Sequence, residues 1–437
     1  MTNTFAYILG VLFVLVGIAV SIGLHEVGHM VPAKLFGARV TKYMIGFGPT
    51  IFSRKRGETE YGIKAIPLGG YIAISGMFPP EKEGRKLNWF TKWVSDARRN
   101  QQEIDGTYDQ ARAFYRLPIY QRVIVMLGGP TMNLFLGLIF TAITLNGFGI
   151  NQTSNKIDVI FDCATSYSQT TACAAGDPTG PAKAAGLVAG DRIVSVNGTA
   201  VSNWQPVADV LTKNGTKPLR LKVERGGQQL NLKVTPVLAK RAVIDSSGTK
   251  YVTDSKGNVV YQSRPVLALQ LATERSPLGL DKTLEFSGTA LGQTAGMIWD
   301  LPNQLSKLTA TLFGGGTRSV SGPVSIVGIS DIAGNVAQSN DYDLAGKLST
   351  GFMMLASLNF ALFVFNLVPL LPLDGGHVLN ALIEGVKRRA YKLFKKADPG
   401  PLDTAMFVPL MTAMWGILMV ISLIVIAADF VRPVSLF

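Results

Sequence analysis

The chain has 437 residues, of which 47% are hydrophobic and only 16% are charged. This composition is too apolar for an ordinary soluble enzyme, and it excludes disordered, collagen-like and disulfide-scaffold proteins. Lysine and arginine exceed acidic residues by 42 to 29, which gives a net charge of +13. Such an excess fits either a nucleic-acid partner or a membrane protein with basic loops.

Four uncharged apolar stretches predict four transmembrane helices. Each has about the 20 residues that a helix needs to cross the hydrocarbon core of a bilayer. The stretches are residues 5–24, 123–145, 352–371 and 405–428. A secretory signal peptide is the alternative for the first stretch. It is disfavoured because no lysine or arginine precedes the stretch and no small-residue cleavage site follows it.

Loop charge predicts how these helices are oriented, because short loops rich in lysine and arginine stay in the cytoplasm. Basic residues are concentrated between the first and second stretches, Arg85 and Lys86 among them, and between the third and fourth. We therefore expect both termini and residues 147–350 on the extracytoplasmic side. No basic patch with interleaved aromatic residues remains elsewhere, so we expect a lipid bilayer and no nucleic acid as partner.

The clearest motif is His25-Glu26-Val27-Gly28-His29, at the inner end of the first stretch. Positions i and i+4 share one face of a helix, so both imidazoles can approach one cation while Glu26 lies beside the open coordination position. We expect Zn²⁺ bound by His25 and His29, with Glu26 as the catalytic base. The alternative is a pair of interfacial histidines with a snorkelling glutamate.

A catalytic zinc usually has three protein ligands, and Asp374 is the natural third donor. In the inferred topology the first and third spans both run inward, so Asp374 and His25 reach the same depth. Prolines and a Gly-Gly pair break the helix near Asp374, and irregular backbone at membrane depth is tolerated only where it lines a cavity. An ordinary Asp-Gly turn is the alternative.

Three further polar residues are weaker candidates. His377 is predicted either to support a ligand or to be a spare ligand. Asn133 and Asn366 are predicted to be buried, where each can bind the substrate or a helix backbone. Simple hydrogen bonding between helices is equally compatible with both asparagines.

These motifs resemble those of the site-2 protease family of intramembrane zinc metalloproteases, in particular bacterial members with a single PDZ-like domain. The similar elements are HEVGH, the GPTMN sequence that ends at Asn133, and NLVPLLPLDGG, which begins at Asn366. Residues 39–76 resemble the family's sheet-like segment that dips into the membrane near the active site. The charged stretch 79–116 and the insert 241–263 have no counterpart in this resemblance.

The resemblance implies a hydrolase of regulated intramembrane proteolysis in a bacterial cell membrane, acting in a stress response. It implies one Zn²⁺ per chain and an active site near the cytoplasmic side. The expected substrate is a single-pass membrane protein, such as an anti-sigma factor, that another protease has already trimmed outside the membrane. A metal transporter and a membrane-tethered PDZ scaffold are the alternatives.

The long external segment carries a second motif, GDRIVSVNG at residues 190–198. Alternating apolar residues closed by Asn-Gly predict a strand entering a tight turn, and the motif resembles one of PDZ domains. Such a domain can bind peptide C-termini by adding a strand to a sheet edge, or it can act only as a gate. Cys163 and Cys173 lie in the same segment, where an oxidising compartment favours a disulfide over two free thiols.

The predicted fold class is therefore a polytopic α-helical membrane protein with four transmembrane helices, a membrane-associated β segment and an extracytoplasmic β-rich PDZ-like domain. The predicted segments are the first span with HEVGH (1–38), the β segment (39–78), a charged cytoplasmic segment (79–122), the second span (123–146), the PDZ-like domain with its insert (156–264), a juxtamembrane helix and linker (265–350), the third span with the LDG motif (351–377), a basic cytoplasmic loop (378–404) and the fourth span (405–430).

Overall fold

The computed structural model describes residues 2–81, 89–105, 110–164, 173, 177–243, 251–254, 257–314 and 322–433. Parts of the predicted segments 79–122, 156–264 and 265–350, with Arg85 and Lys86, lie outside these residues. The chain divides into two compact units. One is Met1–Gly149 with Pro277–Phe437, and the other is Ile150–Ser276.

The helices and strands are numbered in chain order. The α-helices are α1 (Thr2–Leu35), α2 (Trp89–Asp105), α3 (Ile119–Ala142), α4 (Pro181–Ala184), α5 (Gln205–Asn214), α6 (Leu280–Trp299), α7 (Leu301–Gly314), α8 (Ile326–Gln338), α9 (Leu344–Asn366), α10 (Asp374–Leu393) and α11 (Val408–Val431). The strands are β1 (Val40–Arg56), β2 (Thr59–Ile74), β3 (Ile150–Ile160), β4 (Arg192–Val196), β5 (Thr199–Ala200), β6 (Leu219–Arg225), β7 (Gln228–Val234), β8 (Val237–Ala242), β9 (Tyr261–Val266) and β10 (Leu269–Ser276).

Among the described residues, four helices are long and apolar enough to cross a membrane, which confirms the predicted number. They are Thr4–Leu35, Ile119–Phe148, Leu344–Asn366 and Thr404–Val431. The second of these helices continues α3 through a π-helical turn, Ile143–Phe148.

The helices α1 and α3 approach each other closely because each carries a glycine at the crossing point. A Cβ on Gly28 would overlap the backbone at Gly128, and a Cβ on Gly128 would overlap the backbone at Gly28. Nearer the start of α1, Val14 and Ile18 pack with Leu355 of α9 in a buried apolar cluster. The helices α1, α3 and α9 therefore pack against one another.

The third span is shorter than the predicted segment 351–377. α9 ends at Asn366, and Asp374 is the first residue of α10 rather than part of the span. The helix stops before Pro369 and Pro372 because a proline lacks the backbone N–H and disfavours helical geometry in the residue before it. α10 also occupies more than half of the predicted basic loop 378–404, since its apolar residues recur with helical spacing.

The strands β1 and β2 form an antiparallel two-stranded sheet directly after α1. Val40 and Met44 at the start of β1 are buried, whereas its residues from Phe47 to Arg56 are exposed. The register contains several irregularities. The proposed association of this segment with the membrane stays a prediction.

The second unit is β-rich. Its main sheet has the order β10-β3-β4-β6-β7, with β5 paired to β4, and β8 pairs with β9 in a separate hairpin. The sheet and the helix α5 enclose an apolar core that includes Ile157, Ile193, Val207 and Leu221. The unit is longer than the predicted domain 156–264 because β3 begins at Ile150 and its partner β10 ends at Ser276.

The structure joins Cys163 and Cys173 by a disulfide that closes a sequence separation of 10 residues. Cys163 follows β3, and it forms an isolated bridge with Thr179. The bridge therefore pairs the segment after β3 with the residues just before α4.

Candidate active site

Three side chains from distant parts of the sequence converge at one point. His25 and His29 lie one turn apart on α1, and Asp374 begins α10. The two imidazole Nε2 atoms are 3.1 Å apart. Asp374 Oδ2 is 3.5 Å from His25 Nε2 and 3.4 Å from His29 Nε2. The three ligands predicted from the sequence therefore come together in space. Among the described residues, they form the one group of His, Cys, Asp or Glu side chains whose donor atoms lie close enough together to hold a metal ion.

The ring of His29 is held in place by the backbone of α3. Its Nδ1 lies 2.8 Å from the carbonyl oxygen of Val125, so Nδ1–H donates to that oxygen. This bond fixes the tautomer in which Nε2 carries a lone pair, as metal-binding histidines generally require. Since the side chain of His29 is only 6% exposed, water does not compete for Nδ1.

The ring of His25 is oriented by Asn133 of α3, whose side-chain amide lies 3.0 Å from Nδ1. The amide oxygen of Asn133 is buried and has no hydrogen-bond partner in the described part of the chain. The oxygen and nitrogen of an asparagine side chain are assigned from their hydrogen bonds. Turning the amide so that its oxygen accepts Nδ1–H satisfies both groups and leaves the His25 Nε2 lone pair free.

Glycine 129 provides the space in which the imidazoles sit. A Cβ at Gly129 would overlap His29 Nε2 and would lie 2.7 Å from His25 Nε2. Any side chain at this position would therefore displace the donor atoms. The GPTMN sequence supports the site in two ways, because its first residue leaves room for the ligands and its last residue, Asn133, orients one of them.

The carboxylate of Glu26 lies beside this cluster. Both Glu26 and Ile72 of β2 line the same cavity. The strand approaches Glu26 closely at Gly70, where a Cβ would stand 3.3 Å from the Glu26 Cγ and 3.1 Å from the Met44 carbonyl oxygen. β2 thus packs directly against the predicted base.

A cavity of about 400 Å³ opens onto the cluster. Asn366 at the end of α9 and His377 on the second turn of α10 both line it, so the structure brings these weaker candidates to the same cavity. Neither His377 nor Asn366 is among the three converging donors. The roles assigned to these side chains from the sequence stay predictions.

Several residues of this site were not identified from the sequence. The carbonyl of Val125 has no sequence signal, because every residue offers a carbonyl. Trp415 and Leu418 of α11 line the cavity, but apolar residues in a transmembrane helix carry no mark of such a role. Tyr71 also lines the cavity. The family resemblance indicated only the segment 39–76 that contains Tyr71, and not this residue itself.

The donor set suits a metal cation. Oδ2 of Asp374 is buried and has no hydrogen-bond partner among the described residues, although an unpaired buried carboxylate oxygen is costly. Two imidazole lone pairs and this oxygen converge, which is repulsive unless a cation lies among them. Zinc-bound nitrogen and oxygen atoms at tetrahedral angles are roughly 3.3 Å apart, close to the spacing of these donors.

Comparison with known proteins agrees with the geometry. The profile described as Peptidase family M50 matches residues 13–398. Zinc metalloprotease Rip1 of Mycolicibacterium smegmatis is 31% identical, and the alignment covers 98% of this chain and 99% of that protein. Rip1 of Mycobacterium tuberculosis H37Rv is 29% identical, with 99% of each chain covered. Metalloprotease MmpA of Caulobacter vibrioides is 27% identical, with 87% of each chain covered.

The profile match extends over both histidines of α1 and Asp374, and the similarity to Rip1 continues through the β-rich unit to nearly the full length of the chain. This extent is well beyond a shared short motif, and it confirms the family that the motifs predict. The chain therefore belongs to peptidase family M50, the site-2 protease family, and is a metalloprotease.

Proposed function

We propose that the protein is an intramembrane zinc metalloprotease that hydrolyses a peptide bond within the transmembrane segment of single-pass membrane proteins. The observation that carries this proposal is the convergence of His25, His29 and Asp374 beside Glu26, on helices that are long and apolar enough to span a bilayer. In this proposal the three converging residues hold one Zn²⁺ per chain.

When bound, Zn²⁺ supplies a Lewis acid that polarises a peptide carbonyl and makes a water molecule acidic. The carboxylate of Glu26 then accepts the proton of the attacking water at an oxygen atom and later returns it to the leaving amine nitrogen. Glu26 lines the same cavity as His25, His29 and Asp374, so its carboxylate is next to the three converging donors. Asn133 and the carbonyl of Val125 keep the two imidazoles oriented.

Substrate access requires a local loss of helix. A transmembrane helix hides its amides in internal hydrogen bonds, so a scissile carbonyl reaches the site only after local unwinding. The strand β2 lines the cavity through Gly70, Tyr71 and Ile72. An extended substrate segment can satisfy its freed backbone groups by pairing with such a strand.

The proposed topology puts both basic loops in the cytoplasm and both termini outside, in the membrane of a bacterial cell. Its support is the exposed basic run from Arg54 to Arg56 at the end of β1 and the basic residues of α10. The active site then lies near the cytoplasmic side. The β-rich unit is extracytoplasmic in this arrangement, where a Cys163–Cys173 disulfide is stable.

We further propose that the β-rich unit is PDZ-like and that the substrate is a trimmed single-pass protein such as an anti-sigma factor. The first proposal is supported by the antiparallel sheet with α5 beside it and by the tight turn at Asn197 and Gly198, which both have positive φ. The second rests on the resemblance of the motifs to those of site-2 proteases.

The test is the Glu26→Gln variant, assayed for zinc content and for hydrolysis of a membrane-embedded substrate. Glutamine keeps the volume but cannot accept the water proton, so we expect full zinc content and loss of hydrolysis. His29→Ala should lose the metal as well. Glu224→Gln, at an exposed position of β6, is the matched control and should behave as the parent protein.

The same measurements separate the alternatives. A metal transporter binds zinc without hydrolysing peptides, and a PDZ scaffold binds no stoichiometric zinc. Hydrolysis by Glu26→Gln at near the parent rate would show that Glu26 is not the base.

A further inference from the structure

The helix α10 has three different faces. Its buried face carries Asn380 and Glu384, and Glu384 accepts two hydrogen bonds from Arg122 of α3. Where α10 crosses α3, a Cβ on Gly385 would stand 3.1 Å from Ile119 Cδ1. The polar side of α10 is therefore turned toward the protein, which is the reverse of an ordinary amphipathic helix of a soluble domain.

The opposite face of α10 is apolar and exposed. Its members recur at helical spacing, so they form one stripe. They are Leu379, Leu382, Ile383, Val386 and Leu393. Val386 is 71% exposed and Leu393 is 78% exposed. A contiguous apolar surface of this kind marks an interaction site rather than scattered surface residues.

Exposed basic side chains flank the apolar stripe. Lys387 follows Val386 by one residue and lies to one side of the stripe, while Arg389 and Lys392 lie to the other side. α10 contains no exposed acidic residue, because Glu384 is buried and Asp374 lines the active-site cavity. The charge along both edges of the stripe is thus positive.

We propose that α10 lies in the surface of the membrane, with its apolar stripe among the acyl chains and Lys387, Arg389 and Lys392 bound to headgroups of anionic phospholipids. A helix with an apolar face bordered by lysine and arginine is typical of interfacial segments. The helix also follows the span α9 after a break of only seven residues, 367–373, so it begins close to the level where the chain leaves the bilayer.

Charge decides between a lipid surface and a second copy of the chain as the occupant of this face. In a symmetric pairing of two α10 stripes, the basic edges of one copy would face the basic edges of the other, and like charges oppose such contact. An anionic lipid surface offers the complementary charge. It attracts each nearby lysine or arginine by about 1 kcal/mol, a factor of about five in partitioning.

The helix that carries the apolar stripe also carries a residue of the candidate active site. Asp374 is the first residue of α10, and the rest of α10 is a continuous helix through Leu393. A change in the depth or tilt of α10 in the membrane surface therefore moves Asp374. Through this movement, the lipid composition changes the geometry of the candidate metal site.

The test uses the full-length protein in nanodiscs of phosphatidylcholine alone or of phosphatidylcholine with phosphatidylglycerol. Cys163 and Cys173 are replaced by serine, and Val386→Cys carries a polarity-sensitive fluorophore that brominated acyl chains quench. Quenching should be stronger in the anionic discs, and raised salt should reduce the difference because it screens exposed charges.

The variant Lys387→Gln/Arg389→Gln/Lys392→Gln should lose this dependence on phosphatidylglycerol. Each lost charge lowers the preference for the anionic surface by a factor of about five, so the loss of three charges lowers it by roughly 100-fold. Lys213→Gln/Lys217→Gln/Lys233→Gln removes the same charge from exposed positions of the β-rich unit and should keep the dependence. Equal zinc content and elution volume in both variants show that both are folded.

Two results would overturn the proposal. In one, the fluorophore is equally exposed to water in both lipids, or the α10 variant responds to phosphatidylglycerol as the parent does. In the other, the fluorophore is shielded from water but not quenched by brominated lipid, which means that protein, such as a second copy of the chain, covers the stripe.

Discussion

The side-chain amide of Asn133 on α3 lies 3.0 Å from Nδ1 of His25 on α1, and the amide oxygen has no hydrogen-bond partner among the described residues unless it is turned to face that Nδ1. The asparagine is completely buried, so its oxygen depends on this contact for a hydrogen bond. The contact couples the second span to a proposed metal ligand on the first.

The first prediction follows from this contact. Asn133→Leu removes the acceptor at similar volume, so His25 loses its orientation and the affinity for Zn²⁺ should fall by about 10–100-fold. Asn133→Asp keeps an oxygen acceptor for Nδ1–H and should retain most of the affinity. Competition with a zinc chelator measures both variants.

The opposite order of affinities would contradict the orientation assigned to this amide. If the amide nitrogen faced Nδ1 instead, Asn133→Asp would put an acceptor against an acceptor. That variant would then bind zinc no better than Asn133→Leu.

The second prediction concerns the space at Gly129. Gly129→Ala inserts a Cβ among the donor atoms, 2.7 Å from His25 Nε2, so we expect loss of stoichiometric zinc. Gly296→Ala is the matched control, because among the described residues nothing beyond the helix's own backbone lies within 4 Å of a Cβ at that position. Metal analysis after purification distinguishes them, and normal zinc content in Gly129→Ala would mean that α1 and α3 separate more easily than the structure indicates.

The convergence of the proposed metal ligands could be predicted from the sequence because their spacing is local. His25 and His29 are spaced by one helical turn, and that spacing alone puts both on one face of any helix. Loop charge then brought Asp374 to the same depth as His25. The four spans are equally local, since each is a single apolar run long enough to cross a bilayer.

The supporting contacts could not be predicted in the same way. Val125 acts through its carbonyl, and the packing of α3 on α1 decides which carbonyl reaches His29. The end of α9 at Asn366 rather than near residue 377 depends on how far the two prolines disturb the helix before them. The buried polar face of α10 is a tertiary effect, because it exists only where Arg122 meets Glu384.

The third prediction concerns the cysteines. Unreduced, denatured protein should show no thiol that reacts with a maleimide, and two should react after reduction, because Cys163 and Cys173 are joined. Closing a loop of this size stabilises a domain by about 3 kcal/mol in the loop-entropy model. Cys163→Ser/Cys173→Ser should therefore unfold at lower denaturant concentration. Two reactive thiols before reduction would contradict the cross-link.

The fourth prediction concerns the acid stability of the β-rich unit. Asp191 is buried, and burial alone would raise the pKa of its carboxyl. Two hydrogen bonds from Arg225, of 2.7 and 2.8 Å, and one from the Val188 N–H nevertheless hold that pKa below its usual range. A carboxyl with a lowered folded-state pKa stabilises the fold above its unfolded pKa, about 3.9, and this stabilisation is lost as the pH falls below that value.

Hydrogen exchange of β4 and β6 in the full-length protein, corrected for intrinsic rates at each pH, measures this dependence. The parent should lose protection below about pH 4. Arg225→Met should be less protected already at pH 7 and should lose less on acidification, because Asp191 then has no cation to favour its charged form. Arg220→Met, at an exposed position of β6, should follow the parent, and an Arg225→Met profile parallel to the parent's would contradict the assignment.

The fifth prediction concerns the ion pair that joins α10 to α3. Arg122 and Glu384 form two hydrogen bonds of 2.9 and 2.6 Å, and their side chains are only 8% and 2% exposed. Removing one partner leaves the other charge buried and unpaired, which costs roughly 3–5 kcal/mol. The single variants Arg122→Met and Glu384→Leu should therefore unfold at clearly lower temperature in detergent.

The double variant distinguishes the stability lost by leaving one charge buried and unpaired from the net stabilisation that the ion pair provides. Replacing both partners by apolar residues of similar size is often close to neutral, so Arg122→Met/Glu384→Leu should recover much of the lost stability. The backbone N–H of Leu402 and the Nε of Arg388 also contact Glu384, at 3.0 and 3.1 Å, so recovery should be incomplete. Glu285→Gln, in an exposed pair with Lys282, is the control and should change stability by at most about 1 kcal/mol.

The same variants connect stability to the metal site. Because α10 begins with Asp374 and is held to α3 through Glu384, an orphaned Arg122 should also weaken zinc binding, and the double variant should restore part of it. A double variant as unstable as the sum of the two singles would show that the pair does not act as a unit. Full zinc affinity in Glu384→Leu would show that Asp374 is positioned by its own turn of α10 and not by the contact with α3.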